Sequence, residues 1–179
     1  VEYVYLVASL PHLELTTAPH LSSEAVLSSA AGVLRPDHWE DLRAVVEDRP
    51  EDVRAQELRP YLDADTQLRN AVAQARAARA GASFDPREHP HGGFDARCAD
   101  VAARAMELDD PRERQLMLDR LRWRLLDELA LRAPFGLEAV LAYGLRVRLA
   151  EKWAAQADAA EGLRVAARVT EAALAGSGL

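Results

Sequence analysis

The dipeptide Ala133-Pro134 is the tightest constraint on this chain. Proline keeps the residue before it out of helical dihedrals, and here it interrupts two strongly helical runs. Before it, Asp110 is placed as an N-cap, Pro111 as the first helical residue and Glu113 to reach back to the N-cap amide. This predicts a helix from Asp110 to about Arg132. After it, a second helix restarts near Gly136 or Leu137 and continues past Trp153. Helices joined by so few residues turn back on each other and pack. The stretch Asp110–Trp153 is therefore expected to form an antiparallel hairpin at the centre of the fold.

The hairpin is broad on its apolar side. Leu118, Leu121, Leu125 and Leu129 form one stripe, and Leu116, Trp123, Leu126, Ala130 and Leu131 widen it. The second helix adds Leu137, Val140, Leu141, Leu145, Leu149 and Trp153. Such width means helices covered on several sides, or covered on one side by another protein.

The other segments also read as helices. Val1 to Leu15 is apolar on both alternating faces, which local rules read as a strand. No partner strand exists elsewhere in the chain, and a lone strand cannot satisfy its backbone. A short helix or extended segment ended by Pro11 is preferred. Ser22 or Ser23 caps a helix to Leu34, with Val26, Leu27, Ala30 and Leu34 buried. Asp37 and Glu40 form a second capping pattern, opening a helix with Trp39, Leu42, Val45 and Val46 that Pro50 ends. Glu51 to Arg59 makes two turns before Pro60. From Tyr61 a narrow stripe of Leu62, Leu68, Val72 and Ala75 runs to a C-terminal glycine, Gly81. Residues 82–93 form an exposed loop rich in Pro, His and Gly. Phe94, Cys98, Val101, Ala105 and Leu108 recur at helical spacing. A turn is expected at Ala159–Gly162, a last helix at Leu163–Leu174 and a frayed tail at 176–179.

Composition agrees with an all-α fold. Hydrophobic residues make up 49% of 179 residues and aromatics only 6%, with alanine and leucine dominant. A single all-helical domain over residues 1–179, a helical bundle built around the hairpin, is the expected architecture. The charge balance, 22 basic against 29 acidic residues, disfavours nucleic acid as a partner. Cys98 is the sole cysteine, which excludes an internal disulfide and fits a reducing, cytoplasmic compartment. No apolar run reaches the roughly 18 residues needed to cross a bilayer, and no signal-peptide pattern is visible.

Motifs for chemistry are sparse. No phosphate loop, nucleophile elbow or His-Glu-x-x-His occurs. The best metal candidate is the loop holding Asp85, Glu88, His89, His91, Asp95 and Cys98, but its spacing matches no ligand signature. Cys98 follows the apolar periodicity, so a buried thiol is expected rather than a nucleophile paired with His89 or His91. Asp127 and Glu128, beside Arg124 and Arg122, could in principle pair as acid and base. Ion-paired helix surface or an interface contact is the preferred reading.

The blocks Tyr3–Pro11 (YVYLVASLP), Leu68–Ala80 (LRNA followed by an Arg/Ala-rich stretch) and Arg122–Trp153 (RWRLLDELALRAPFGLEAVLAYGLRVRLAEKW) carry a resemblance. Together they resemble an uncharacterised bacterial family encoded among the subunit genes of V/A-type ATPases. The resemblance implies a counterpart of the ATPase C subunit (subunit d), an all-helical, funnel-like adaptor between the membrane rotor ring and the central stalk. That adaptor has no catalytic residues, so none is carried over. This chain is considerably shorter than a usual C subunit. It also has Arg146 where lysine is expected and Lys152 where arginine is expected, which keeps charge but not hydrogen-bond geometry.

The resulting expectation is a non-catalytic ATPase subunit or accessory protein without cofactor. Its partners would be the central stalk and rotor ring, and its place the cytoplasm or the cytoplasmic face of the inner membrane. Trp123, Arg124, Asp127, Glu128, Tyr143, Arg146 and Trp153 are the expected interface or core-organising residues. Two alternatives stay open: a stand-alone helical regulatory or chaperone-like protein, and a metalloprotein using the His89/His91 loop.

Overall fold

The computed structural model describes residues 2–81 and 87–176. Among the described residues there are seven α-helices: α1 (Val4–Ser9), α2 (Ser23–Ala30), α3 (Pro36–Val46), α4 (Arg59–Arg79), α5 (Ala96–Glu107), α6 (Pro111–Arg132) and α7 (Leu137–Gly176). Two 3₁₀ turns, Pro50–Asp52 and Gln56–Leu58, link α3 to α4. Among the described residues there is no strand. The fold is all-α, as composition and periodicity require.

Helices α6 and α7 form the hairpin. Asp127 meets Arg146 and Asp119 meets Trp153, so descending one helix ascends the other. Leu118, Leu121, Leu125, Leu126 and Leu129 of α6 are buried against Val140, Leu141 and Val147 of α7 and the rest of the core. The Asp110 side chain caps α6 by accepting from the Arg112 amide at 2.8 Å, and Pro111 stands at its start. Helix α3 packs on α7, α5 on α6, and α4 on α5 and α6. The hairpin's apolar width is thus mostly covered by the chain's own helices, although Leu131 and Phe135 stay exposed.

Two contacts fasten the N-terminal segment to this centre. The Tyr3 amide donates to the Phe135 carbonyl at 2.9 Å, and the Tyr143 hydroxyl donates to the Pro11 carbonyl at 3.0 Å. The first fifteen residues hold a helix, not a strand: Tyr3 and Leu6 face inward while Tyr5 is 91% exposed. A helix satisfies its own backbone, which a partnerless strand cannot do. Glu151 of α7 accepts from the amide and hydroxyl of Ser23 at 2.7 and 2.5 Å. A carboxylate from a distant helix thereby supplements Ser22, whose hydroxyl accepts from the Ala25 amide.

Gly144 sets how closely α3 and α7 approach. A Cβ there would stand 2.8 Å from Leu42 Cδ1 and 3.5 Å from Val45 Cγ1. At the end of α4, Gly81 takes φ +61°, the left-handed conformation expected of a glycine just past a helix.

Several boundaries differ from the sequence expectation. The turn at Ala159–Gly162 is absent, and α7 runs unbroken to Gly176. One glycine costs a helix only about 1 kcal/mol, and the alanines around it favour continuation. Helix α2 stops at Ala30, short of Leu34. Asp37 is not a cap: Pro36 starts α3 one residue earlier with Arg35 at the cap position and no side-chain bond to the helix end. That helix ends at Val46, before Pro50, and Pro50 opens a 3₁₀ turn. Pro60 likewise lies in the first turn of α4 rather than stopping a helix, since an N-terminal amide has no partner to lose. The link between, 53–55, is pinned where Asp41 accepts from the Arg54 amide at 2.6 Å. Phe94 is 82% exposed and precedes α5, whose cap is Asp95. The tail at 177–179 and the loop residues 82–86 lie outside the described residues, while 87–93 are exposed apart from half-buried His91.

Candidate functional site

A cleft of about 500 Å³ opens where α3, α4, α6 and α7 meet. Its floor is a buried charge network. Asp119, on α6, is wholly buried. Its Oδ1 accepts from Gln115 Nε2 at 3.0 Å and Arg122 at 2.8 Å. Its Oδ2 accepts from Lys152 Nζ at 3.2 Å and Trp153 Nε1 at 3.1 Å. Both oxygens are saturated. Arg122 also donates to Asp65 Oδ1 at 2.7 Å, and Arg69 pairs with Asp65 Oδ2 at 2.6 Å. Arg148 binds the Val45 carbonyl and Asp48. A buried carboxylate without such donors would cost several kcal/mol, so the network fixes α4, α6 and α7 in one arrangement.

Tyr61 closes one wall of this cleft. Burial, with the charge of Asp65 adding to it, pushes its phenol above the ordinary tyrosine range. The ring is 7% exposed, and among the described residues its hydroxyl makes no hydrogen bond.

A second feature surrounds Trp123. This half-buried indole carries the Arg146 guanidinium 5.8 Å from its ring centroid. A shelf of about 470 Å³ lies among Leu15, Thr16, Arg120, Trp123 and Arg124. Arg146 also pairs with Asp127 at 2.5 Å, which leaves Arg120 and Arg124 as the shelf's exposed charges.

The residues expected to act at an interface divide sharply. Trp123 and Arg124 border the shelf. Asp127 and Arg146 pair across the hairpin beside it. Glu128 turns toward α5 instead and binds Arg97 at 2.5 Å. Tyr143 and Trp153 are buried and organise the core, Tyr143 through Pro11 and Trp153 through Asp119. Asp127 and Glu128 do not pair with Arg122 or Arg124 along their own helix. They reach other helices, because packing brings Arg97 of α5 and Arg146 of α7 against them. Arg97 draws both Glu128 and Asp95 below their usual carboxylate range, chiefly by hydrogen bonding.

His89 and His91 stand at the end of the loop that packs on α4. Among the described residues no three His, Cys, Asp or Glu side chains are grouped to hold an ion; Asp85 lies outside them. Cys98 is wholly buried, and its thiol lies 3.5 Å from the Ala64 carbonyl. Burial raises its pKa to about 11. That is a packed thiol, not a nucleophile. Among the described residues no helix is long and apolar enough to cross a membrane.

Two buried amides escaped the sequence reading. Asn70 donates to the His89 carbonyl at 2.8 Å and accepts from the His89 amide at 3.0 Å. Gln67 treats Asp95 the same way, at 3.0 and 2.9 Å. Each side-chain amide pairs with a backbone amide as a strand neighbour would, clamping the loop's end onto α4. Within the LRNA block, Leu68 fills the core, Arg69 edges the cleft and Asn70 is one clamp. The only sequence signal was a pair of polar residues on the apolar side of α4. Asp119 gave a similar signal within the leucine stripe of α6. No family model, curated protein or solved structure matches the chain.

Proposed function

We propose that this chain is a non-catalytic subunit or accessory protein of a bacterial V/A-type ATPase, linking or assembling the central stalk on the membrane rotor ring through protein contacts. The observation that carries this reading is the free length of α7. The helix holds 40 residues, about 60 Å at 1.5 Å per residue. Only its first half is built into the hairpin. Past Trp153 the described side chains are exposed or at most half-buried, Leu163 at 73%. Residues 154–164 alone give roughly 16 Å of helix for a partner to lie along.

Two further features support the reading. The shelf at Trp123 presents Arg120 and Arg124 to solvent, a basic spot on a chain of net charge −7. An indole flanked by arginines fits an acidic segment of a partner protein. The first and last resemblance blocks are also adjacent, joined by the Tyr3–Phe135 and Pro11–Tyr143 bonds.

Affinity purification of the full chain from its native cell tests the proposal. ATPase stalk or ring subunits are expected in the eluate at stoichiometric amounts. Trp123→Ala with Arg124→Glu should reduce their recovery at least several-fold without changing the helical content of the purified chain. An eluate free of ATPase subunits overturns the assignment.

A further inference from the structure

The cleft between α4, α6 and α7 is built with more donors than its acceptors can take up. Four cations line it, Arg69, Arg122, Arg148 and Lys152, against three carboxylates, Asp48, Asp65 and Asp119. The surplus is one positive charge. Both Asp119 oxygens are saturated, and each Asp65 oxygen already holds an arginine. Lys152 Nζ, by contrast, spends one of its three N–H donors on Asp119. The Tyr61 hydroxyl spends none within the described residues. That hydroxyl stands on the cleft wall, where it can donate to an acceptor that enters the cleft.

The remaining lining is apolar. Leu58, Leu62, Leu145 and Leu149 face the same space. The volume, about 500 Å³, falls within the range of small-molecule sites. We infer that this cleft binds a small organic anion, one carboxylate or phosphate group on an apolar body, with the head held by Tyr61, Lys152 and Arg69 and the body against the leucines. The site is independent of the ATPase assignment and stands or falls without it.

The test is calorimetric titration of the full chain with hexanoate, hexyl phosphate and, as a charge control, hexylamine. At least one of the two anions should bind at one site per chain, and which one identifies the head group. Hexylamine should not bind. Tyr61→Phe removes only the hydroxyl, which has no protein partner to lose, so the variant should fold normally and bind the anion at least 5-fold more weakly. Arg69→Ala, an exposed position, should weaken binding comparably. Lys152 is the only lysine, so its acylation, followed by mass spectrometry, should slow when the bound anion is present. Absence of binding by both anions overturns the proposal. So does equal binding of hexylamine, or an affinity unchanged in both variants.

Discussion

The Trp153 indole N–H donates to Asp119 Oδ2 at 3.1 Å, from one arm of the hairpin to the other. Asp119 is buried completely and Trp153 is 2% exposed, so the bond lies where water cannot replace it. The same carboxylate holds Arg122 and Lys152. One side chain therefore decides whether the two helices keep their register.

Asp119→Ala should destabilise the protein by about 1–3 kcal/mol, because it leaves the buried Trp153 indole N–H unpaired and takes from mostly buried Arg122 one of its two carboxylates. Trp153→Phe keeps much of the volume but leaves Asp119 one donor short, a loss of about 1–3 kcal/mol. Urea unfolding followed by circular dichroism measures both. A midpoint unchanged in Asp119→Ala would mean the network does not hold the fold.

Gly144 and Gly162 lie on the same helix and should respond in opposite ways. At Gly144 an added methyl meets buried Leu42 at 2.8 Å. The overpacking, about 1–3 kcal/mol, outweighs the gain of about 1 kcal/mol in helix propensity, so Gly144→Ala should lower the unfolding midpoint. At Gly162 nothing lies within 4 Å of a new Cβ. Gly162→Ala should slow amide exchange in the distal turns of α7 and leave the global midpoint where it was.

Acid should weaken the contact between α5 and α6. Arg97 lowers the folded pKa of Asp95 and Glu128 from 3.8 and 4.5. Their contribution is complete above those ordinary values and is lost as pH falls through the lowered folded ones. Glu128 is half exposed, so screening holds its share under about 1 kcal/mol. Arg97→Gln should flatten the acid limb of a melting-temperature profile between pH 5 and about pH 3. An identical limb in the variant would assign the acid sensitivity elsewhere.

Cys98 should resist thiol reagents in the folded state. Its pKa of about 11 leaves little thiolate at neutral pH, and the sulfur is enclosed. Labelling with a chromogenic disulfide at pH 7.5 should proceed only as fast as the protein opens, and should speed up sharply in urea. Rapid labelling of the native protein would contradict the packing around α5.

Much of this fold is legible in periodicity and capping. Leu118, Leu121, Leu125 and Leu129 announce α6, and Pro134 announces the corner, because both signals are local. Some of the boundaries that differ are those where a proline has two meanings. Pro36 and Pro60 begin helices, while Pro11 follows one, and the residue type alone does not distinguish the cases. Gly162 reads locally as a break because nothing local weighs one weak residue against a long run of alanine.

The cleft is less legible for a different reason. Its members, Tyr61, Asp65, Arg69, Asp119, Arg122 and Lys152, come from three helices. Each one alone reads as an ordinary polar or aromatic helix position. Only tertiary packing makes Asp119 a buried acceptor and leaves the Tyr61 hydroxyl without one. Likewise the Asn70 and Gln67 clamps depend on where the loop passes over α4, which no spacing rule encodes. Trp153, by contrast, could be assigned to the core from its place in the apolar pattern.

Helix α7 also has a mechanical consequence. Its first half forms the wall that carries Arg148 and Lys152, and the same helix continues beyond Trp153 to Gly176. A load on the exposed turns just past Trp153 acts on the same helix that carries the charged floor. Conversely, whatever stiffens the floor fixes the angle at which the rod points. One continuous helix thus carries both the charged floor and the turns beyond it.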